Sequence, residues 1–165
     1  MKKKKIIKEI ESLANIIFDD VVSFRKMIHK YPELSYKEEK TSKFICSVLD
    51  ENKINYKKNI AGFGVVAMIK GQDPGVRVIG LRADMDALPI QEENEVSYKS
   101  VHDGVMHACG HDAHVAILMG VAEFLSKNKD KLKGNVMLIF QPAEEGPPEG
   151  ENGGAKMMLE EGIFD

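Results

Sequence analysis

Nine consecutive residues, Met106-His107-Ala108-Cys109-Gly110-His111-Asp112-Ala113-His114, hold three of the five histidines of the 165-residue chain, one of its two cysteines and an aspartate. Cys thiolate and His imidazole are the donors that bind a zinc-like divalent ion, and the Cys-x-His spacing across Gly110 lets both side chains turn toward one point. Asp112 is placed to orient an imidazole from behind, as ligand histidines generally require. The same residue types fit two other chemistries. Asp112 can be the capping acid of a helix that starts here, with the histidines incidental, or Cys109 can be a covalent nucleophile with His107 or His111 as base.

The segment Gln141-Pro142-Ala143-Glu144-Glu145-Gly146 bears on that choice. It follows Val136 to Phe140, an apolar run that reads as a strand buried on both faces, so the two glutamates do not belong to an ordinary solvated surface. Adjacent residues on an extended chain diverge: one carboxylate can bind a metal while the other faces a water as general base. A Cys nucleophile has no use for such a pair. A second acidic pair, Asp84 and Asp86 in Arg82-Ala83-Asp84-Met85-Asp86, ends an earlier strand. If the strand persists, both point to the same side, a costly like-charge arrangement unless a cation or hydrogen-bond donors lie between them.

The elements that carry these segments follow from hydrophobic spacing. Ile6, Ile10, Leu13, Ile17, Val21, Phe24 and Ile28 recur at three and four residues, which predicts an amphipathic helix ending before Pro32. Ser35 with Glu38 three positions on has the spacing of a capping box and opens a second helix with Thr41, Phe44, Ile45, Val48 and Leu49 inward; Cys46 rides on it as a structural thiol. Val65 to Ile69 and Val76 to Leu81, separated by a Gly- and Pro-rich spacer, predict two adjacent strands in a hairpin. Met85 to Gly110 is a long loop, of the kind that is usually functional or mobile. A helix from His114 to Lys127 with Ile117, Leu118, Val121, Phe124 and Leu125 on one face follows, then the Val136 to Phe140 strand. A last helix runs from about Gly154 to Glu161, with Ala155, Met158 and Leu159 inward and Gly162 as its stop. The order is that of a three-layer α/β domain, whose sites lie beyond strand ends.

Composition sets the outer bounds. With 43% apolar and 30% charged residues, the chain has the make-up of one globular domain. Lys plus Arg number 23 against 26 Asp plus Glu, so there is no basic excess to hold nucleic acid. The longest apolar stretch, around Val115 to Ala122, is far below the roughly 20 residues that span a bilayer, so no membrane partner is expected. Lys2 to Lys5 are followed by Lys8, Glu9 and Glu11, which leaves no apolar leader region, and a cytoplasmic location is expected.

Five blocks in a fixed order carry a family resemblance: His29-Lys30-Tyr31-Pro32-Glu33-Leu34, Gly80 to Pro89, Met106 to His114, Phe140 to Gly146, and Gly153-Gly154-Ala155-Lys156-Met157. From about residue 20 onward they resemble the amidohydrolase branch of the M20 metallopeptidases, which includes N-acyl-amino-acid amidohydrolases, hippurate hydrolases, N-acetyldiaminopimelate deacetylases and hydrolases of indoleacetyl-amino-acid conjugates. The resemblance implies a three-layer, zinc-peptidase-like α/β catalytic domain with a central mixed sheet and a two-metal site. Cys109, His111 and Glu145 are then ligands, Glu144 is the general base, Asp84 is the carboxylate that orients the metal site, and Gly153 to Ala155 form a backbone turn beside it. His29 is expected to serve packing. Arg82 stands where many M20 peptidases have a histidine, which fits the amidohydrolase branch and removes a ligand there. The Gly146 to Asn152 stretch is longer than in some relatives, a place where specificity can vary.

The implied reaction is hydrolysis of the amide bond of an N-acylated amino acid or similar small conjugate. Two divalent ions (zinc, manganese, cobalt or nickel) polarise the carbonyl and acidify a water, Glu144 takes its proton and passes it to the leaving nitrogen, and no other cofactor is expected. Family members are longer, with further histidine ligands, a lid and dimerisation domain, and homo-oligomeric assembly. Residues 1–165 are therefore expected to be the N-terminal part of the catalytic domain, inactive alone. The rival expectation is a non-catalytic remnant, either a weak metal binder or the partner of a separately encoded second half.

Overall fold

The computed structural model of the chain describes residues 2–73, 75, 77–147 and 149–165, with side chains from residue 7 onward. Pro74 of the expected spacer, Val76 of the expected second strand, Pro148 of the loop after Glu145 and the side chains of Lys2 to Ile6 lie outside the described residues.

Helix α1 (Lys2–Lys30) ends ahead of Pro32, whose ring disfavours helical backbone in the residue before it. Only its C-terminal part packs as the spacing predicted: Ile28 is buried and Leu13, Ile17, Val21 and Phe24 are partly so, whereas Ile10 is 48% exposed. The reason is length. Helix α3 (His111–Lys127), against which α1 lies, has 17 residues to the 29 of α1, so α1 outruns its partner by about 18 Å at 1.5 Å per residue. The two helices approach closely at Gly120, where a Cβ would fall 2.4 Å from Val21 Cγ2.

Helix α2 (Glu39–Glu51) buries Thr41, Ile45, Val48 and Leu49, and Cys46 is a buried free thiol. The expected capping box does not form. Glu33 receives the N–H groups of Lys40 and Thr41 at 3.1 and 2.8 Å and the Thr41 hydroxyl at 2.9 Å. Ser35 and Glu38 instead reach across the domain to Asp86 and Ala143.

The sheet contains β1 (Tyr56–Ile60), β2 (Gly64–Lys70), β3 (Val78–Asp84) and β4 (Asn135–Gln141) in the order β1-β2-β4-β3. Strand β2 is antiparallel to β1 and β4, and β3 is parallel to β4. The predicted hairpin of β2 and β3 is thus corrected: β4 sits between them. It is the strand buried on both faces, and the interior of the sheet is the place that suits it. Val136, Leu138 and Phe140 face the core under α1, α2 and α3, while Ile139 and Met137 face the opposite side with Met158 of α4 (Gly154–Glu160). This makes the three layers.

The inward faces of the last two helices differ from those predicted. Helix α3 starts three residues early and buries Val115, Ala116, Leu118, Met119 and Ala122, leaving Ile117 56% exposed. In α4 Met158 is buried, but Ala155 is exposed and Leu159 is 59% exposed. Gly162 follows α4 at φ +71°, the left-handed turn expected of a helix stop. Among the described residues no helix is long and apolar enough to cross a membrane.

Candidate metal centre

Strands β3 and β4 are parallel and paired as far as Asp84↔Gln141, so both leave the sheet at the same end. The third contribution to that end is the start of α3. Gly110, at φ +90°, caps it in a left-handed conformation that turns the chain between Cys109 and His111, which a side chain at this position would resist.

There the Cys109 sulfur, a His111 ring nitrogen and a Glu145 carboxylate oxygen all lie within 4.8 Å of one another. Cys109 is exposed, His111 is buried and Glu145 is partly buried. His111 Nδ1 donates to the main-chain carbonyl of Asp86 at 3.0 Å and stands 3.4 Å from Asp86 Oδ1. A carbonyl only accepts, so Nδ1 carries its hydrogen and Nε2 is the ring atom left to a ligand site. It points at Glu145 Oε1 (3.6 Å) and Glu144 Oε2 (3.9 Å). The Glu145 N–H in turn donates to Asp86 Oδ2 at 2.8 Å, as does the Ser35 hydroxyl at 2.7 Å.

Two features fit a cation. Glu145 Oε1 is buried and, among the described residues, has no hydrogen-bond partner; the His111 ring 3.6 Å away is the positive charge nearest to it, a place that a bound cation would take over. The donor set, one thiol, one imidazole and one carboxylate, is that of a zinc-like ion. The electrostatics agree. Glu145 beside the thiol, together with burial, pushes Cys109 up to about 11, the wrong direction for a thiolate nucleophile but one that a bound cation reverses. The Asp86 carboxylate and carbonyl raise His111 to about 9, so an ion at Nε2 must displace a proton. Burial would raise Asp86; hydrogen bonds from His111, the Glu145 N–H and Ser35 outweigh it and hold Asp86 at about 2.

Asp84 accepts from Arg82 Nε at 2.7 Å, and the carboxylate beside His111 Nδ1 is that of Asp86. The acidic pair is visible in the sequence, but β3 ends at Asp84, so the strand alternation that would place both on one side does not reach Asp86. Asp112 neither caps α3 nor touches a ligand imidazole. It is fully buried and accepts from Arg25 Nε and His29 Nδ1, both at 2.7 Å. The other His29 nitrogen faces Glu92 Oε1 at 3.0 Å, so His29 joins two buried carboxylates instead of packing against apolar groups. His107, nearby but outside the ligand group, is buried with neither ring nitrogen hydrogen-bonded among the described residues, and burial lowers it to about 4. Gly154 donates to the Ala143 carbonyl at 3.0 Å, and a Cβ on it would fall 1.8 Å from the Pro142 oxygen, so the glycine turn lies directly against the exit of β4.

Comparison with known proteins gives this geometry a context. Residues 80–165 match the sequence profile of peptidase family M20/M25/M40. The chain is 46% identical over 160 residues to thermostable carboxypeptidase 1 of Saccharolobus solfataricus, covering 96% of this chain and 40% of that protein. It is 43% identical over 157 residues to N-acyl-L-amino acid amidohydrolase of Geobacillus stearothermophilus, covering 95% and 41%. The crystal structure of Bacillus subtilis YXEP, described as a dinuclear metal binding peptidase from the M20 family, superposes with a TM-score of 0.83 at 41% identity, covering 92% of this chain and 41% of that one. The chain thus spans about 40% of the length of these relatives.

Proposed function

The chain belongs to peptidase family M20/M25/M40, and from that premise we propose that Cys109, His111 and Glu145 hold a divalent ion that serves hydrolysis of the amide bond of an N-acylated amino acid or similar small conjugate. The observation that carries the proposal is the approach of the three donor atoms within 4.8 Å, with Glu145 Oε1 buried and, among the described residues, without a hydrogen-bond partner.

When bound, the ion supplies Lewis-acid polarisation of the scissile carbonyl and acidification of the attacking water; zinc, manganese, cobalt and nickel all accept these donors. The description of YXEP as dinuclear supports two ions per site. The chain's own residues do the rest. Asp86 fixes the His111 ring through its carbonyl and the Glu145 backbone through its carboxylate. Glu144, more exposed than Glu145 and 3.9 Å from His111 Nε2, takes a proton from the attacking water and returns it to the leaving nitrogen. Residues 1–165 act as the N-terminal part of the catalytic domain, with the remaining ligands and a lid and dimerisation domain on further sequence.

Cobalt titration tests the site: a thiolate-to-cobalt absorption band is expected, and it is lost in Cys109→Ala. Activity is tested in a chimera that continues this chain with the unmatched remainder of the Geobacillus relative. Chelator-sensitive release of amino acid from N-acetyl amino acids is expected, and turnover indifferent to chelator would refute the proposal.

A second reading, metal binding without turnover, is favoured by the donor count. The described residues bring together three donors, whereas a tetrahedral ion needs a fourth and a dinuclear site more. A chimera that binds cobalt and never hydrolyses would select it.

A further inference from the structure

Glu38 is fully buried one residue ahead of α2 and has no part in the chemistry above. Its Oε1 accepts the Ala143 N–H at 2.9 Å, 105 positions away in the chain, while its Oε2 has no hydrogen-bond partner among the described residues. A carboxyl group with one hydrogen bond and one bare oxygen is a poor packing residue, since an apolar side chain of similar volume would fill the space without desolvation.

What it grips is unusual. Ala143 has φ +48°, a left-handed conformation that a residue with a Cβ keeps only when its surroundings impose it. Both of its backbone polar groups are held, the N–H by Glu38 and the carbonyl by the Gly154 N–H. Two residues on, the Glu145 N–H is held by Asp86. The segment that carries both glutamates is therefore fixed by two buried carboxyl groups from different parts of the chain.

We propose that Glu38 is a positioning residue: by holding the Ala143 N–H it sets the left-handed bend that aims Glu145 at Cys109 and His111. The role rests on the reading of Glu145 as a metal ligand. It requires an acceptor oxygen at position 38 and not a charge. In keeping with this, burial pushes Glu38 up to about 7.

Cobalt affinity of the 165-residue chain is the test, read from the Cys109 thiolate band, with shielding of the buried Cys46 from a thiol reagent as the control for folding. Glu38→Gln keeps the acceptor and should bind cobalt within about threefold of the wild type. Glu38→Leu removes it, and Glu38→Asp is one methylene too short to reach; both should weaken binding roughly 10- to 100-fold, the usual cost of losing a support behind a ligand. If Glu38→Leu exposes Cys46, Glu38→Asp decides. The Ala143 amide of the wild-type chain should also be protected from hydrogen exchange. Wild-type affinity in a folded Glu38→Leu or Glu38→Asp chain, an equal loss in Glu38→Gln, or fast exchange at Ala143 would overturn the role of Glu38 and leave the metal reading standing. Absence of the thiolate band in the wild type would overturn the metal reading first, and this role with it.

Discussion

His111 and Asp86, 25 positions apart, are joined by a 3.0 Å hydrogen bond from the ring Nδ1 to the Asp86 main-chain carbonyl, and the Asp86 carboxylate stands 3.4 Å from the same nitrogen. Asp86 therefore acts on two proposed ligands at once, on His111 from its backbone and on Glu145 from its side chain. Asp86→Ala keeps the carbonyl and loses the carboxylate. Metal affinity is expected to fall roughly 10- to 100-fold. The measurement belongs above pH 9, because His111 titrates near there and the variant also lowers proton competition at Nε2. Unchanged affinity at that pH would show that the carbonyl alone orients the ring.

Glu144 and Glu145 should separate by phenotype. In the chimera, Glu144→Gln is expected to leave metal content nearly unchanged and lower kcat by roughly two to four decades, the usual worth of a general base. Glu145→Gln should lower metal occupancy, because Glu145 Oε1 is the oxygen buried beside His111 Nε2. Metal analysis beside steady-state kinetics distinguishes them, and swapped phenotypes would reverse the assignment of base and ligand.

Much of the fold was legible where local sequence and tertiary demand coincide. Val136 to Phe140 read as a two-sided strand because both sheet faces are covered, and Cys-x-His and Glu-Glu stood out because their donor types are rare in solvated loops. Strand β1 did not: Lys57, Lys58 and Asn59 are exposed on the edge of the sheet and show no apolar alternation. Strand order was equally hidden, since nothing within residues 65–81 announces that a strand more than fifty residues downstream will lie between β2 and β3. Ser35 and Glu38 satisfied a local capping rule, but partners 51 and 105 positions away took both side chains. The candidate site residues legible in sequence are those whose donor chemistry is intrinsic; Asp86 stood out only as half of an acidic pair, and its contacts, like those of Glu38, come from what folds against it.

His29 joins Asp112, which is fully buried, to Glu92, which is 2% exposed. His29→Leu removes both ring nitrogens from the two carboxylates and leaves Arg25 Nε on Asp112. Leaving buried carboxylate oxygens without their hydrogen-bond partner is costly, so a loss of roughly 1 to 3 kcal/mol in urea unfolding is expected. His29→Gln, which still offers an N–H, should lose less. Equal midpoints for wild type and His29→Leu would mean that the network contributes nothing net.

Glu38 also makes a prediction about pH. Its folded value is raised to about 7 from an ordinary 4.5, so between these pH values the folded chain binds more protons than the unfolded chain, and this group's contribution to stability falls as pH rises. The loss is on the order of 3 kcal/mol and levels off above pH ~7. His107, lowered to about 4 by burial, acts in the opposite sense between pH ~4 and its ordinary 6.5. The Glu38 contribution is therefore read as the difference between wild type and Glu38→Gln. Denaturant curves at pH 5 and pH 8 should show the variant gaining on the wild type at the higher pH, and a constant difference would refute the linkage.

The last expectation concerns the free edge of the sheet. Among the described residues β3 pairs with β4 on one side only, and Val78 and Ile79 at its start are 54% and 56% exposed, with Ile117 of α3 also 56% exposed. An unpaired edge bearing β-branched apolar residues offers a template for another strand. The 165-residue chain should therefore self-associate with rising concentration, and a charge on the edge should oppose it. Ile79→Lys is expected to shift the chain toward monomer in sedimentation velocity with its far-UV circular dichroism unchanged, because Ile79 is already mostly solvated. Continuing the chain with the remainder of the Geobacillus relative should suppress association without any substitution. A wild-type chain that stays monomeric at high micromolar concentration would show that this edge is protected by something other than pairing.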